Sequence, residues 1–286
     1  MKKLLILLTG AFMLTACTDE LDVDLEEGQV RLVVEGRLVR QKEGSNSGYQ
    51  FIRLSTTAPY FQNEQTPAAR GASVEVLELE TNVTYVFAES ADEPGIYETF
   101  GMTPTVGFTY RLEVRYESSI YQATEEMLAV ASIDRLDQEF REETIFRDEG
   151  IGLLLDYQDP EGIENYYHWQ TYRNDTLLIR ADVGNQFNLI SSDEFYDGLK
   201  VVGFELAGDF SFEPGDRGLV RQYALSKEAY DYYRIFYEQA VGLAPGGGDV
   251  VPATLRGNVQ NVSNDALYPL GYFEASEVSQ QEITVQ

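Results

Sequence analysis

Cysteine, histidine and tryptophan each occur once in this sequence of 286 residues. One cysteine permits no internal disulfide and no thiolate metal cluster. The lone histidine, His168, leaves no His/Cys set for zinc. Any Ser-His-Asp triad would have to use it, yet no Gly-x-Ser-x-Gly elbow accompanies it. Its position between Tyr167 and Trp169 points to sheet packing. Basic residues are also scarce: 21 Lys and Arg face 48 Asp and Glu, for a formal net charge of −27. That excludes nucleic acid as a partner, because such binding rests on neutralising phosphates. It also disfavours docking of the protein body onto anionic lipid. Gly246-Gly247-Gly248 lacks the Lys and Ser/Thr of a phosphate loop and reads as a plain loop. Asp22 with Asp24, or Asp156 with Asp159, could attract calcium, but no EF-hand frame surrounds them. Nothing singles out a glycosidase pair from 48 carboxylates. The expectation is no metal, no cofactor and no catalytic residue.

Long hydrophobic runs are missing beyond the first residues, so no segment of the mature chain can cross a bilayer as a helix. The beginning is different. Lys2 and Lys3 precede the short apolar core Leu4–Met13, and small Ala16 precedes Cys17. Residues 1–16 therefore read as a cleaved signal peptide. Leu14-Thr15-Ala16-Cys17 matches the bacterial lipobox, in which the thiol takes a diacylglycerol and the new amine is acylated, as with palmitate. Cys17 is the expected lipid-attachment site, and several acyl chains together give stable anchoring. Lipidation also accounts for the lone cysteine. Residues 17–28 form an acidic tether, with six of the ten residues from Thr18 to Glu27 acidic. A solvated linker follows from that composition alone. The acidic stretch also resembles the export signal of Bacteroidota surface lipoproteins. The resemblance implies a lipid-anchored outer-membrane protein facing the cell surface.

What is plentiful is aromatic: 19 Tyr and 15 Phe, with many β-branched residues. The pattern predicts a mainly β protein of two β-sandwich-like domains, with one helix in the second. The first domain spans 29–131. Strands are expected over 29–40, 49–55, 73–79, 84–88, 95–97, 108–116 and 120–124, with a bulge near Val76 and Leu77. Gly71-Ala72-Ser73-Val74, Gly95-Ile96-Tyr97 and Gly107-Phe108-Thr109-Tyr110 resemble transthyretin-like, Ig-like modules.

The second domain spans 132–286. Strand candidates are Gly152–Tyr157, Asn165–Arg173, Leu177–Val183, Gln186–Ile190, Val201–Leu206 and Leu219–Leu225. Residues 226–241 predict a well-buried helix, capped by Ser226, with Glu228 in its first turn and Gly242 as its C′ residue. Leu267–Glu274 and Ile283–Gln286 predict returns to the sheet. Along 165–173, Tyr167 and Trp169 share one face; Tyr166, His168 and Tyr172 share the other. The ring-rich strand makes Trp169 a candidate for a sugar- or peptide-stacking platform, against a place in the core. Asp175-Thr176-Leu177 resembles a Bacteroidota O-glycosylation motif and equally suits a turn entering a strand.

Arg256-Gly257-Asn258-Val259-Gln260-Asn261 and Leu270-Gly271-Tyr272-Phe273-Glu274-Ala275-Ser276 resemble the closing signature of domain-of-unknown-function family 4249. Arg31-Leu32-Val33-Val34-Glu35-Gly36 and Asn165-Tyr166-Tyr167 fit the same pattern. The resemblance implies an outer-membrane lipoprotein, often encoded beside TonB-dependent receptors, with no catalytic residues to carry over. The expected function is a non-enzymatic accessory or ligand-capture partner of such a receptor. The alternatives are a stand-alone carbohydrate- or peptide-binding module, and an uncharacterised hydrolase.

Overall fold

The computed structural model describes residues 28–58, 66–143, 149–179, 189–206, 210–241 and 254–286. Its spine is the last strand. Strand β16, Leu270–Thr284, runs for 15 residues. It pairs in parallel with β1, Leu32–Gln41, from Val33↔Leu270 to Gln41↔Val278. Beyond that it pairs antiparallel with β14, Arg217–Leu225, from Tyr223↔Val278 to Arg217↔Thr284. One sheet therefore continues from the first half of the molecule into the second.

The first half follows the alternation in the sequence. Strand β2, Gln50–Thr56, pairs with β1, and β5, Ile96–Thr99, pairs with β2. Strand β4, Val83–Glu89, joins β5 at one end and β3, Ser73–Glu78, along the rest. The second layer continues through β6, Thr109–Tyr116, and β7, Ser119–Glu126. Inward residues of both layers, including Leu38, Ile52, Val76, Phe87, Leu112 and Phe273, form the first core. The bulge expected near Val76 is not there. Register runs unbroken on both sides of β3, and Val74, Val76 and Glu78 all point inward. Glu78 tolerates burial because its carboxylate accepts from the hydroxyls of Tyr110 and Thr81, at 2.9 and 2.6 Å.

The second half stacks two layers. Strands β10, Tyr166–Arg173, β11, Thr176–Leu178, and β12, Ile190–Ser192, extend the long sheet from β14. A three-stranded sheet lies across it: β8, Ile133–Arg141, β9, Gly150–Gln158, and β13, Lys200–Leu206. Leu153, Leu155, Tyr157, Tyr167, Trp169 and Val220 fill the second core. A short strand, β15, Gln260–Asn261, returns to the first half and pairs with β7. Val259, Phe273 and Ala275 belong to the first core as well. The first core thus draws on the chain's end, while the change of core along the chain falls between Met127 and Val130.

Two separate returns were expected at the C-terminus; a single strand is present. Residues 272–279 are buried on both faces, so the in-out alternation of a half-buried strand is absent there. Its polar side chains are satisfied internally. Ser276 Oγ donates to Ala224 O at 2.7 Å, and Ser279 Oγ accepts from Ile133 N at 2.9 Å. Glu277 accepts from Val130 N and from Lys42 Nζ, both at 3.1 Å.

Helix α1, Lys227–Val241, packs on the outer face of the long sheet over Leu225, Ile190 and Tyr272. Ser226 caps it, accepting from Ala229 N at 3.2 Å. It is less buried than expected. Ala229 and Tyr237 are fully buried, whereas Phe236 is 43% exposed. The expected C′ residue Gly242 lies outside the described residues.

Candidate functional site

On the outer face of the long sheet lies an open groove of about 610 Å³. Strand alternation builds its floor. Glu35, Arg37, Val39 and Gln41 of β1 all face it, as do Gln170 and Tyr172 of β10 and Arg221 and Tyr223 of β14. Tyr49, Phe51 and Arg53 form one wall, and Tyr232, Tyr233 and Phe236 of α1 form another.

Under α1 the floor is closed by a polar knot. Arg37 makes a forked contact with Glu274, Nε–Oε2 at 2.9 Å and Nη2–Oε1 at 3.2 Å. Tyr233 donates to the same carboxylate. The Arg37 guanidinium lies 4.3 Å from the centre of the Tyr223 ring. Burial alone would lower the Arg37 pKa. The charge of Glu274 and the neighbouring phenols of Tyr233 and Tyr223 reverse this and hold it well above its ordinary value. His168 sits beside the pair, with Nδ1 3.0 Å from Arg37 Nη2 and Nε2 3.1 Å from the Tyr237 hydroxyl. A guanidinium only donates, so Nδ1 accepts and Nε2 carries the proton. Burial, reinforced by the Arg37 charge, pushes the His168 pKa well below its ordinary value. The ring is held neutral with both nitrogens engaged. It props the groove floor rather than offering a base to it.

A second knot ties helix and sheets together. Glu125 accepts from Ser226 Oγ at 2.7 Å and from the Tyr272 hydroxyl at 3.2 Å. Burial raises its carboxyl pKa to about 7, opposed by those two bonds and helped by Glu274 and Glu228.

The rim is aromatic. Tyr49 and Phe51 lie with ring centres 6.1 Å apart, and Phe100 lies 5.2 Å from Tyr49. Phe51 and Phe100 are 45% and 74% exposed. Tyr49 donates to Glu98 at 3.0 Å. Facing them, Tyr232 and Phe236 stack with an interplanar angle of 12°.

The two faces of β10 divide as their alternation predicts: Tyr167 and Trp169 point into the second core, and His168 and Tyr172 line the groove. Trp169 is not a platform. It is 1% exposed, and its Nε1–H donates to buried Gln222 at 2.8 Å. Alternation along 49–53 and the high ring count were the only hints of the rim. Cys17, Asp22, Asp24 and the loop at 246–248 lie outside the described residues. Asn174 and Asp175, with φ of 50° and 66°, form the tight turn between β10 and β11, and Thr176 is exposed beside it.

Asp156 and Asp159 serve different loops. Asp156 takes Gly203 N and Arg135 Nε, at 2.7 and 3.0 Å. Asp159 lies with Asp193 and Asp197, their carboxylate oxygens within 4.8 Å of one another. Each holds a loop: Asp159 accepts from Tyr167 Oη and Gly198 N, Asp193 from Asn165 N, and Asp197 from Gly162 N.

The signature residues near the C-terminus are structural. The Asn258 side chain bonds both N and O of Phe273, at 3.0 and 2.8 Å, as a neighbouring strand would. Arg31 and Arg256 both stack on the Tyr268 ring, 3.6 and 3.7 Å from its centre. A Cβ on Gly257 would fall 1.6 Å from Gly271 O.

Fold and site together define a β-sandwich protein with a side-chain-lined groove on a shared sheet. The family model described as "Domain of unknown function (DUF4249)" matches residues 18–282, and the chain belongs to that family. No curated protein matches it. Among solved structures, the FN1–FN3 domains of chicken CNTN1 align with 68% of this chain and 58% of theirs, at 10% identity and a TM-score of 0.23.

Proposed function

We propose that this protein is a lipid-anchored, non-enzymatic outer-membrane protein that faces the cell surface. It captures a ligand in the groove and acts as an accessory partner of a TonB-dependent receptor. The observation that carries the capture role is the groove itself, an open concavity with aromatic walls and a rigid polar floor. Such a combination suits small-molecule or oligomer binding. Its histidine is engaged at both nitrogens, which favours binding over catalysis. Anchoring rests on the lipobox at Cys17 and the acidic tether after it. The receptor partnership rests on the family resemblance.

Each part has its own test. Cys17→Ala moves the protein from the membrane fraction to the soluble fraction; retention in the membrane defeats lipid anchoring. Protease treatment of intact cells digests the protein if it faces outward. Mild detergent extraction with crosslinking recovers a receptor beside it, and recovery of the lipoprotein alone counts against the accessory role. The exposed rings of Tyr49 and Phe51 on the groove wall, with Phe100 beside Tyr49, also favour a second reading, a stand-alone carbohydrate- or peptide-binding module.

A further inference from the structure

Resting on the groove as a ligand site, we propose that its ligand is an acidic oligosaccharide, a chain of sugar rings bearing carboxylates. The first observation is charge. The chain carries a net charge of −27, yet the groove lining holds Arg37, Arg53 and Arg221 against Glu35 and Glu274. Glu274 is engaged by Arg37. Neither Arg53 nor Arg221 has a carboxylate within ion-pair distance among the described residues. Arg221 is already positioned: its guanidinium lies 5.1 Å from the Tyr172 ring centre, and Nε donates to Gln280 at 3.2 Å. Nη1 also reaches the Tyr172 hydroxyl at 3.5 Å, and an oriented guanidinium whose other N–H groups remain to be satisfied is a carboxylate receptor.

The second observation is the pairing of ring faces with amides. The walls at Tyr49 and Phe51, and at Tyr232 and Phe236, offer flat apolar surface for the C–H faces of sugar rings. Gln41, in the lining, has a buried Oε1 with no hydrogen-bond donor. A bare anion cannot satisfy an acceptor; a sugar hydroxyl can. Gln170 accepts from Tyr172 at 2.9 Å and keeps its own N–H groups for a ligand oxygen. A ligand that brings both hydroxyls and negative charge matches this lining. The floor also runs along β1 from Glu35 to Gln41, roughly 20 Å at strand spacing, which suits a linear oligomer.

The same geometry disfavours a peptide. The floor is the face of a paired sheet: β16 takes the backbone of β1 along one side, and on the other β2 pairs with it as far as Gly36 while the side chains of Gln50 and Asn46 take the backbone of Val39 and Gln41. A peptide strand would find no open edge to extend.

The test is calorimetric titration of the full-length protein in detergent with tetragalacturonate and tetramannuronate, each against its methyl ester, and with tetraglutamate. At least one uronate should bind, about tenfold more tightly than its ester, as expected for a charge-assisted contact. Arg221→Gln should abolish that difference, Arg53→Gln should reduce it, and Phe51→Ala should weaken acid and ester alike. Arg53 and Phe51 are exposed, so those two variants test the inference even if Arg221→Gln misfolds. Equal affinity for acid and ester overturns the requirement for charge and leaves a neutral-sugar groove. Tighter binding of tetraglutamate overturns the sugar. No binding of any uronate overturns the inference outright, while receptor co-purification still judges the accessory role on its own.

Discussion

At the scale of single residues, the molecule concentrates its polar commitments under α1. His168 is 3% exposed and bridges Arg37 and Tyr237. Replacing it with Ala strands two buried polar partners, and we expect a loss of about 3 kcal/mol in denaturant unfolding. The ring also contributes a pH dependence of defined sign. Its folded pKa lies below its ordinary value of 6.5. The unfolded chain therefore binds the extra proton first as pH falls. Stability from this site is present above about pH 6.5 and declines below it, with a limiting slope of about 1.4 kcal/mol per pH unit. Glu125 acts in the opposite sense. Its carboxyl is raised to about 7, so the folded state retains a proton that the unfolded state has released. Stability from Glu125 is full below its ordinary value near 4.5 and is lost as pH rises through about 7. Glu125→Gln keeps an oxygen for Ser226 and Tyr272, and we expect it to raise stability at pH 8 by about 1–2 kcal/mol relative to wild type. Unfolding curves of wild type and both variants between pH 5 and 8 check both signs; E125Q that leaves the slope unchanged would remove Glu125 as a source of the pH dependence.

At the scale of elements, β16 is the piece on which the rest depends. Its entry requires Gly271, which has φ +87° and whose added Cβ would fall 2.0 Å from Val34 O. Both the backbone and the neighbouring strand exclude a side chain there. Gly271→Ala should cost roughly 3 kcal/mol or more, where an exposed substitution such as Phe51→Ala should cost less than about 0.5 kcal/mol. A thermal melt of the two variants separates them. If G271A melts with wild type, the parallel pairing of β1 and β16 is looser than the geometry requires. Helix α1 shows the complementary case. Its cap and start follow from Ser226, but its partial exposure follows from where the sheet places it, with Phe236 overhanging the groove.

At the scale of the whole molecule, the two cores share a strand. Residues 270–276 complete the first core and 278–284 pair with the second half. Separate domains would unfold separately, but a common central strand couples them. We expect a single cooperative transition by both circular dichroism and tyrosine fluorescence. A fragment of residues 28–131 should fail to fold alone, because it lacks Val259, Phe273 and Ala275 from its own core. Two resolved transitions, or a folded fragment, would contradict this coupling.

Local periodicity alone determined the β class, the seven strands of the first half, the helix at 227–241 and the opposite faces of Tyr167 and His168. These are near-neighbour properties: alternation, turns and a cap are written within a few residues. Composition alone determined the scarcity of histidine and cysteine and the acidic character. The expected lipobox and tether rest on the sequence pattern alone and lie almost wholly outside the described residues. Only the tertiary structure decided that Trp169 belongs to the core, because burial of one face depends on the sheet laid across it. Only it revealed β16 as one strand, since a strand buried on both faces loses the alternation that marks a strand in sequence. The groove was the least legible feature. Arg37, Phe51, His168, Arg221 and Phe236 are separated by most of the chain and meet because β1, β2, β10, β14 and α1 converge on one sheet face.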